Sequence, residues 1–427
     1  MAPGAESGAA AAGSDCPHVG ICGGCAYRGV PYDEQLEIKN AQVLEYLHDN
    51  KVVPLAYDGI APAPRSSAYR NRMDYSFGDE VKDGEMTLGL HKRGSYMSVI
   101  DTDGCLIVPD DFNTIREAVL AWARASGHGF WHKRTHSGFL RSLVLRRGER
   151  TRELLVNLVT TDEETLDAEN FMDMVRGLPL TDSISGIVHT IYNGRADTVA
   201  CDSMSTLFGR DHFFEELLGL RFRVNALSFF QTNTSAVEAM FAEALTMLPD
   251  LNGKAVFDLY CGTGTISLAV ASRAASVTGV EIVPESVRAA EENAALNNTA
   301  NCRFICGDAL EALERIDGGA APERANGIDG GETRRENREP HERGAVFPAK
   351  PDVLVVDPPR MGMHPKALRK ILSYGLPEIL YISCNPKTFA RDMAAMQFVG
   401  YRLDRLKAYD NFPYTKHTEL AARIVRS

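Results

Sequence analysis

The chain has 427 residues, of which 44% are apolar and 24% charged. These are globular values, and they exclude a mostly disordered, collagen-like or coiled-coil chain. At about 100–200 residues per domain, the length predicts two to four domains. The net charge of −11 argues against a general nucleic-acid binder, although a local basic face is compatible with it. No apolar run approaches the roughly 20 residues that span a bilayer, so we expect no membrane partner.

Three cysteines lie close together after residues 1–15, which we interpret as a disordered tail and not a signal peptide. Cys16, Cys22 and Cys25 form a C-x5-C-x2-C pattern, and Cys105 is the candidate fourth thiol. In a cytoplasmic protein, which we predict here, clustered cysteines indicate metal binding and not disulfides. All-cysteine coordination fits a [4Fe–4S] cluster or a structural zinc ion, and the spacing does not decide between them.

The central part of the chain has an α+β pattern. An amphipathic run predicts a helix over residues 33–47, and short apolar runs within residues 62–225 predict an antiparallel sheet. Residues 130–152 contain seven Lys and Arg against one Glu, a local charge of +6. Basic side chains near aromatic ones suit the binding of single-stranded RNA. The alternative is a solvent-exposed strand at the edge of a sheet, because such strands often carry Lys and Arg. We favour an RNA-binding role for this stretch.

From residue 226 onward, apolar runs alternate with helical patterns, which predicts βαβ units and a doubly wound parallel sheet. The predicted strands are Ala255–Leu259, Ser276–Val280, Arg303–Cys306, Asp352–Val356 and Ile379–Ser383. Residues 317–344 contain no Val, Leu, Phe, Trp or Tyr, and we predict a disordered insertion there.

The first of these strands leads into a glycine-rich turn. Asp258 is followed by Gly262-Thr263-Gly264, and a helix is predicted to open at Thr265, which would bring backbone N–H groups close to a ligand. Glu281 ends the next strand at the spacing of a ribose-binding acid. Ser267 stands where a dinucleotide site would have its third glycine, and this favours S-adenosylmethionine over NAD.

Three more strand ends carry candidate site residues. Asp308 suits an adenine amino group, or a helix N-cap. Asp357 opens an Asp-Pro-Pro-Arg motif that ends in Arg360, and Cys384 opens Cys-Asn-Pro. A lone cysteine is usually a small core residue, but ligands bind at the carboxyl ends of parallel strands, so we favour a catalytic role for Cys384. Arg360 could stabilise negative charge on a substrate carbonyl, or form a surface ion pair.

The order of these motifs resembles that of the RNA uracil-5 methyltransferases, over roughly the last 200 residues. The matching segments are Phe229–Asn233, Asp258–Gly264, Asp357–Arg360, Ser383–Pro386 and Phe412–Glu419. The resemblance implies a class I (Rossmann-like) methyltransferase domain that methylates C5 of a uridine with S-adenosylmethionine. It implies Cys384 as the nucleophile and Glu419 as the proton acceptor. It also implies cofactor contacts by Gln231, Tyr260, Thr265, Glu281, Asp308 and Asp357.

Members that act on ribosomal RNA often carry a four-cysteine motif with an iron–sulfur cluster. The resemblance therefore implies a [4Fe–4S] cluster on Cys16, Cys22, Cys25 and Cys105, and a role in rRNA processing on 23S rRNA. The T-loop uridine of tRNA is an alternative substrate. A methyltransferase for base amines or amide side chains, and an inactive RNA-binding assembly factor, are further alternatives. No obligate protein partner is indicated.

These interpretations give an expected domain organisation for an α/β protein. It consists of a tail at 1–15, the cluster motif with an N-terminal helix at 16–61, a central RNA-binding domain at 62–225, and the methyltransferase domain at 226–427.

Overall fold

The structure is a computed structural model that describes residues 16–196, 200–316 and 350–427. The tail and the insertion predicted at 1–15 and 317–344 lie outside the described residues. Within those ranges, no helix combines the length and the apolar character that a membrane span requires.

The described residues form helices and strands that alternate along most of the chain. The helices are α1 (Tyr32–Asp49), α2 (Asp110–Ser126), α3 (Ala168–Arg176), α4 (Thr234–Thr246), α5 (Thr265–Ala271), α6 (Pro284–Leu296), α7 (Ala309–Ile316), α8 (Pro365–Ser373) and α9 (Pro386–Phe398). The strands are β1 (Ala56–Ala61), β2 (Arg72–Asp79), β3 (Met86–His91), β4 (Val99–Asp101), β5 (Leu140–Arg147), β6 (Glu153–Thr160), β7 (Ser183–Ile191), β8 (Ser203–Gly209), β9 (His212–Leu217), β10 (Leu220–Asn225), β11 (Ala255–Leu259), β12 (Ser276–Glu281), β13 (Cys302–Cys306), β14 (Val353–Val356), β15 (Glu378–Ser383), β16 (Tyr401–Tyr409) and β17 (Glu419–Arg426).

The chain divides into two compact units that are not continuous in sequence. The first unit contains the described residues up to Lys39, together with Pro62–Glu238 and Asp410–His417. The second unit contains Asn40–Ala61, Ala239–Tyr409 and Thr418–Ser427. Residues 61 and 62 belong to different compact units, whereas residue 225 lies inside the first unit. The domain organisation expected from the sequence stays a prediction.

The first unit is built on a seven-stranded sheet in the order β4-β3-β2-β5-β6-β7-β8. Its pairs are antiparallel as predicted, except that β6 and β7 run parallel, with α3 between them in sequence. Its core includes Phe112 and Ile115 of α2 and Phe171 of α3, all fully buried. Each such side chain contributes about 1.5–3 kcal/mol of hydrophobic stabilisation. A separate two-stranded sheet pairs β9 with β10.

The arginines of β5 do not form the basic surface that their sequence indicated. Arg141 lies between the rings of Trp131 and Tyr192, at 4.0 and 4.6 Å from the ring centroids, and donates to three backbone carbonyls of residues 192–196. Arg146 is buried and donates to the carbonyls of residues 225, 226 and 228. Arg147 pairs with Asp182. These guanidinium groups crosslink the unit internally, so the interpretation of residues 130–152 as one RNA-binding stretch is wrong for the arginines of β5.

A fully buried ion pair lies within the first unit. Lys39 Nζ is 2.5 Å from Asp410 Oδ1, and neither side chain is exposed. Lys39 also donates to the carbonyl of Phe412, at 3.2 Å, and the backbone N–H of Tyr414 donates to Gln35 at 2.9 Å. The segment Asp410–His417 is therefore fixed to the first half of α1.

The second unit contains an eight-stranded mixed sheet in the order β1-β16-β17-β15-β14-β11-β12-β13. The five predicted strands are present as β11 to β15, and they run parallel as expected. Strand β17 is antiparallel to both of its neighbours, and β1 pairs in parallel with β16 and forms one edge of the sheet. The helix predicted over residues 33–47 is confirmed as α1.

Removing one partner of a buried ion pair leaves the other charge without compensation, at a cost of about 3–5 kcal/mol. We therefore expect Lys39→Met to lower the free energy of unfolding by that amount, measured by urea denaturation. The matched control is Lys407→Met, because Lys407 pairs with Glu243 at 2.7 Å but both side chains are partly exposed. Such a pair is worth at most about 1 kcal/mol. Equal losses in the two variants would contradict the role of burial.

Candidate functional site

The order of strands in the second unit brings the predicted motifs to one edge of its sheet. β11, β14 and β15 are parallel neighbours, so the residues that follow them, Tyr260, Asp357 and Cys384, leave the sheet at the same edge. β17 is antiparallel to β15, and its first residue, Glu419, therefore lies at this edge too. This is the edge at which open α/β sheets bind ligands.

The turn after β11 has the backbone geometry that a close ligand requires. Gly262 and Gly264 have φ values of 54° and 82°, in the left-handed region that favours glycine. A Cβ atom on Gly264 would lie 3.0 Å from the ring of Phe304. The carboxylate of Glu281 accepts backbone N–H groups from Gly262 and Val283, at 3.1 and 2.9 Å, which fixes the turn to the end of β12.

Two acids at the ends of the adjacent strands β11 and β14 have raised pKa values. Asp258 is fully buried, and the hydroxyl of Ser267 donates to its Oδ2 at 2.6 Å. Within the described parts of the chain, Oδ1 of Asp258 has no hydrogen-bond partner. Burial raises the pKa of Asp258 to about 7 despite the bond from Ser267, and it raises the pKa of Asp357 to about 7, with the charge of Asp258 adding to the shift. In the sequence, Ser267 is notable only because it stands where a dinucleotide site would have its third glycine, and its hydrogen bond to Asp258 was not predicted.

Cys384 and Glu419 lie at the neighbouring ends of two paired strands, and the charge of Glu419 acts on the Cys384 thiol. The register of β15 and β17 ends at Ser383 opposite Leu420, and one further step places Cys384 opposite Glu419. Directly opposed residues of an antiparallel pair have Cβ atoms about 4.5–5.5 Å apart. The next residue, Asn385, accepts the backbone N–H of Lys387 at 3.2 Å and caps α9. A thiol and a carboxyl are therefore held side by side on rigid elements.

The protonation of these two groups is coupled. Burial raises the pKa of Glu419 to about 8, the charge of Asp357 adds to the shift, and the cation of Arg360 opposes it. Burial raises the pKa of the Cys384 thiol to about 11, with further contributions from Glu419 and Asp357, and Arg360 again opposes the shift. Arg360 is exposed, and its carbonyl accepts the side-chain amide of Asn385 at 2.8 Å.

The other predicted cofactor contacts fall in different environments. Thr265 opens α5 and is buried, whereas Asp308 is exposed and accepts the backbone N–H of Leu310 at 2.8 Å, as a cap of α7 does. Tyr260 is partly buried in the turn. Gln231 belongs to the first unit, where its backbone carbonyl accepts a hydrogen bond from the side-chain amide of Asn71 at 3.0 Å. Its role as a cofactor contact stays a prediction.

The four N-terminal candidate ligands line one pocket of the first unit. Cys16, Cys22, Cys25 and Cys105 share it with apolar side chains that include Leu90 and Ile107. His18 Nε2 lies 2.8 Å from Asp103 Oδ1, which ties the N-terminal cysteine segment to the turn that carries Cys105. Burial raises the pKa of Cys25 to about 12, and the neighbouring thiols add to the shift.

The structure does not show a metal centre in this pocket. Among residues 16–196, 200–316 and 350–427, no group of three or more His, Cys, Asp or Glu side chains has an arrangement that could hold a metal ion. The predicted four-cysteine cluster therefore remains a proposal that depends on the pocket and on the resemblance.

Comparisons with known proteins bear directly on the chemistry of this edge. A sequence model of the family described as tRNA (uracil-5-)-methyltransferase matches residues 213–426, half of the chain. An uncharacterized RNA methyltransferase of Clostridium acetobutylicum is 38% identical, over 97% of this chain and 84% of its own length. An uncharacterized RNA methyltransferase of Bacteroides thetaiotaomicron is 32% identical, over 95% and 86%.

A solved structure shares the fold of almost the whole chain. It is the Pyrococcus abyssi tRNA (uracil-54, C5)-methyltransferase in complex with S-adenosyl-L-homocysteine. The TM-score is 0.72 at 25% identity, and the match covers 95% of this chain and 85% of that one. With the glycine turn and the opposed thiol and carboxyl at one sheet edge, these matches show that the chain belongs to the tRNA (uracil-5-)-methyltransferase family, a family of S-adenosylmethionine-dependent RNA methyltransferases.

Proposed function

We propose that this protein methylates C5 of a uridine in 23S rRNA, with Cys384 as the nucleophile and Glu419 as the proton acceptor. The opposed positions of Cys384 and Glu419 at the ends of β15 and β17 carry the proposal. C5 and C6 of uracil are bonded neighbours, so a group that attacks C6 and a group that takes the proton from C5 must lie side by side.

The roles of the two side chains follow from the reactivity of uracil. The Cys384 thiol first gives up its proton to water. C5 is a poor nucleophile until the resulting thiolate bonds to C6 and the electrons of the C5–C6 double bond move toward the C4 carbonyl oxygen. When bound, S-adenosylmethionine supplies the methyl group that C5 takes. The Glu419 carboxylate then accepts the C5 proton, the double bond forms again, and the C–S bond breaks to release the thiolate. One thiolate and one carboxylate suffice, and both are regenerated once Glu419 passes the C5 proton to water.

Arg360 supports the proposed roles of Cys384 and Glu419 because its positive charge favours the deprotonated form of both groups. With a pKa of about 8, Glu419 is mostly a carboxylate only above that pH, and the raised pKa of Cys384 disfavours its thiolate. The cation of Arg360 lowers both pKa values. The same charge would favour negative charge on the uracil carbonyl during addition.

The residues of the second unit fit a nucleoside cofactor. Glu281 would meet the ribose hydroxyls and Asp308 the adenine amino group, with Tyr260, Thr265 and Asp357 as further contacts. The buried Oδ1 of Asp258, which lacks a partner among the described residues, supports a polar ligand at this turn because a native protein rarely buries such an atom unpaired.

We further propose that the cysteine pocket holds a [4Fe–4S] cluster. Four thiols around one largely apolar pocket are the donor set of such a cluster. A single zinc ion would require the four sulfurs within about 2.3 Å of one point. The resemblance to family members that act on ribosomal RNA is what favours the cluster over a zinc ion. The cluster's role would be structural, because methyl transfer needs no electron.

The same reaction on tRNA is the second candidate. The family model and the Pyrococcus abyssi enzyme both carry tRNA in their names. The four-cysteine pocket is the feature that favours ribosomal RNA in this chain.

The first test is methyl transfer from labelled S-adenosylmethionine to unmodified 23S rRNA and to unmodified tRNA, side by side. We expect 5-methyluridine in the rRNA, and no transfer by Cys384→Ala, because addition to C6 is then lost. Label in tRNA alone would overturn the proposed substrate but keep the mechanism. Substantial transfer by Cys384→Ala would overturn the mechanism itself.

A second prediction concerns the proton acceptor. Glu419→Gln cannot accept the C5 proton, so the methylated uridine should stay bonded to Cys384. We expect a slow RNA–protein band on a denaturing gel, at a turnover rate reduced by about 10²–10⁴. The double variant Cys384→Ala/Glu419→Gln is the control and should give no band. Wild-type turnover by Glu419→Gln would remove the residue from the mechanism.

A third prediction concerns the cysteine pocket. Anaerobically purified protein should contain about four iron atoms and absorb near 400 nm, as thiolate-bound clusters do. Cys25→Ser should lose both signals, whereas Cys201→Ser should keep them, because Cys201 is exposed and does not line the pocket. Colourless protein with stoichiometric zinc would refute the cluster.

A further inference from the structure

Two adjacent loops of the first unit carry a group of cations around an exposed tyrosine. One loop joins β3 to β4, and the other, residues 131–137, precedes β5. Lys133 Nζ lies 4.6 Å from the centroid of the Tyr96 ring, and it donates to the Tyr96 carbonyl at 3.0 Å. We call this group the basic loop patch; its members are Lys92, Arg93, Tyr96, Lys133 and Arg134.

The patch differs from the arginines of β5 in its exposure. Tyr96 is 68% exposed. Arg93 and Arg134 are exposed as well. Lys92 pairs with Glu80 at 3.1 Å. Lys133 thus lies over the exposed ring, and three more cations belong to the same two loops.

Backbone bonds to the cysteine segment hold the first loop in shape. The N–H of Arg93 donates to the carbonyl of Ile21 at 2.7 Å, and the N–H of Gly23 donates to the carbonyl of His91 at 2.9 Å. The guanidinium of Arg93 also donates to the carbonyl of Cys25. A loop that is fixed in this way loses little conformational entropy when it binds a partner.

We infer that the basic loop patch docks a single-stranded segment of the RNA substrate, with one base stacked on Tyr96 and phosphates held by the surrounding cations. Exposed aromatic rings among cations are the arrangement by which proteins bind single strands, because every base has a face that can stack. Paired bases are not available for this contact. The inference rests on the proposed function for the nature of the substrate, and it adds the surface that holds it.

The test measures the Kd of the full-length chain by fluorescence anisotropy. The probes are a 23S rRNA stem-loop, a tRNA T-arm, and a fully paired RNA duplex of equal length. One of the two probes with a loop, the stem-loop or the T-arm, corresponds to the RNA that the protein methylates. We expect Tyr96→Ala to weaken binding of that probe by about 5- to 150-fold and to leave binding of the duplex unchanged. Tyr96→Phe keeps the ring and should bind like the wild type.

The cations have a separate signature in salt. Each phosphate contact to a single strand contributes about 0.7 to the slope of log Kd against log salt, so Lys133→Ala/Arg134→Ala should lower this slope by about 1.4. The matched control is Arg221→Ala, which removes an exposed cation that lies 4.1 Å from the Phe214 ring centroid, on the two-stranded sheet of the same unit. We expect it to leave Kd and slope unchanged.

Unchanged affinity in Tyr96→Ala, or an equal loss in Arg221→Ala, would overturn the inference, as would a loss for the duplex as large as for the stem-loops. Thermal unfolding of each variant shows whether the variant is still folded. If Tyr96→Ala is unfolded, the affinity of Tyr96→Phe decides whether the aromatic ring is what binds the RNA. Cys384→Ala separates this inference from the proposed function, because it should lose methyl transfer and keep wild-type RNA affinity.

Discussion

The site depends on one topological constraint, namely that neighbouring strands of the second unit end at the same edge of its sheet. Asp258, Asp357, Cys384 and Glu419 are far apart in sequence, and strands β11, β14, β15 and β17 bring them together. Three parallel strands end there, and the antiparallel β17 begins there. The chemistry therefore follows from strand order, and a change of register by one residue would turn Glu419 away from Cys384.

Burial at this edge makes the carboxyl groups harder to deprotonate, and it makes them stronger bases once the proton has left. It raises the pKa values of Asp258, Asp357 and Glu419, so these acids hold protons more tightly than they would in water. A proton acceptor with a raised pKa is a stronger base once it is deprotonated. The exposed cation of Arg360 limits the shifts of Glu419 and Cys384, and an RNA substrate would exclude water from the same groups.

The sequence predicted the parallel strands, and the short motif after each strand indicated which residues meet at one edge of the sheet. It failed where the environment of a residue is set by distant partners. The arginines of β5 looked like a basic surface, but Asp182 and the carbonyls of residues 192–196 and 225–228 enclose them. The place of β1 beside β16 was not predicted either, because β1 lies within residues 16–61, where the sequence indicates the cluster motif and an N-terminal helix. The unit boundaries within α1 and around Asp410–His417 have the same origin.

The pairing of β1 with β16 has a consequence for how the protein acquires its fold. Ala56 pairs with Arg405, so one edge of this sheet joins segments from opposite ends of the chain. Contacts of such long sequence separation slow folding, because a large loop must close before they form. On the ribosome, β1 is made long before β16 and must wait for it with its backbone groups unpaired. The sheet that presents Cys384 beside Glu419 is thus completed late, and during synthesis the exposed strand is a point at which a chaperone would protect the chain.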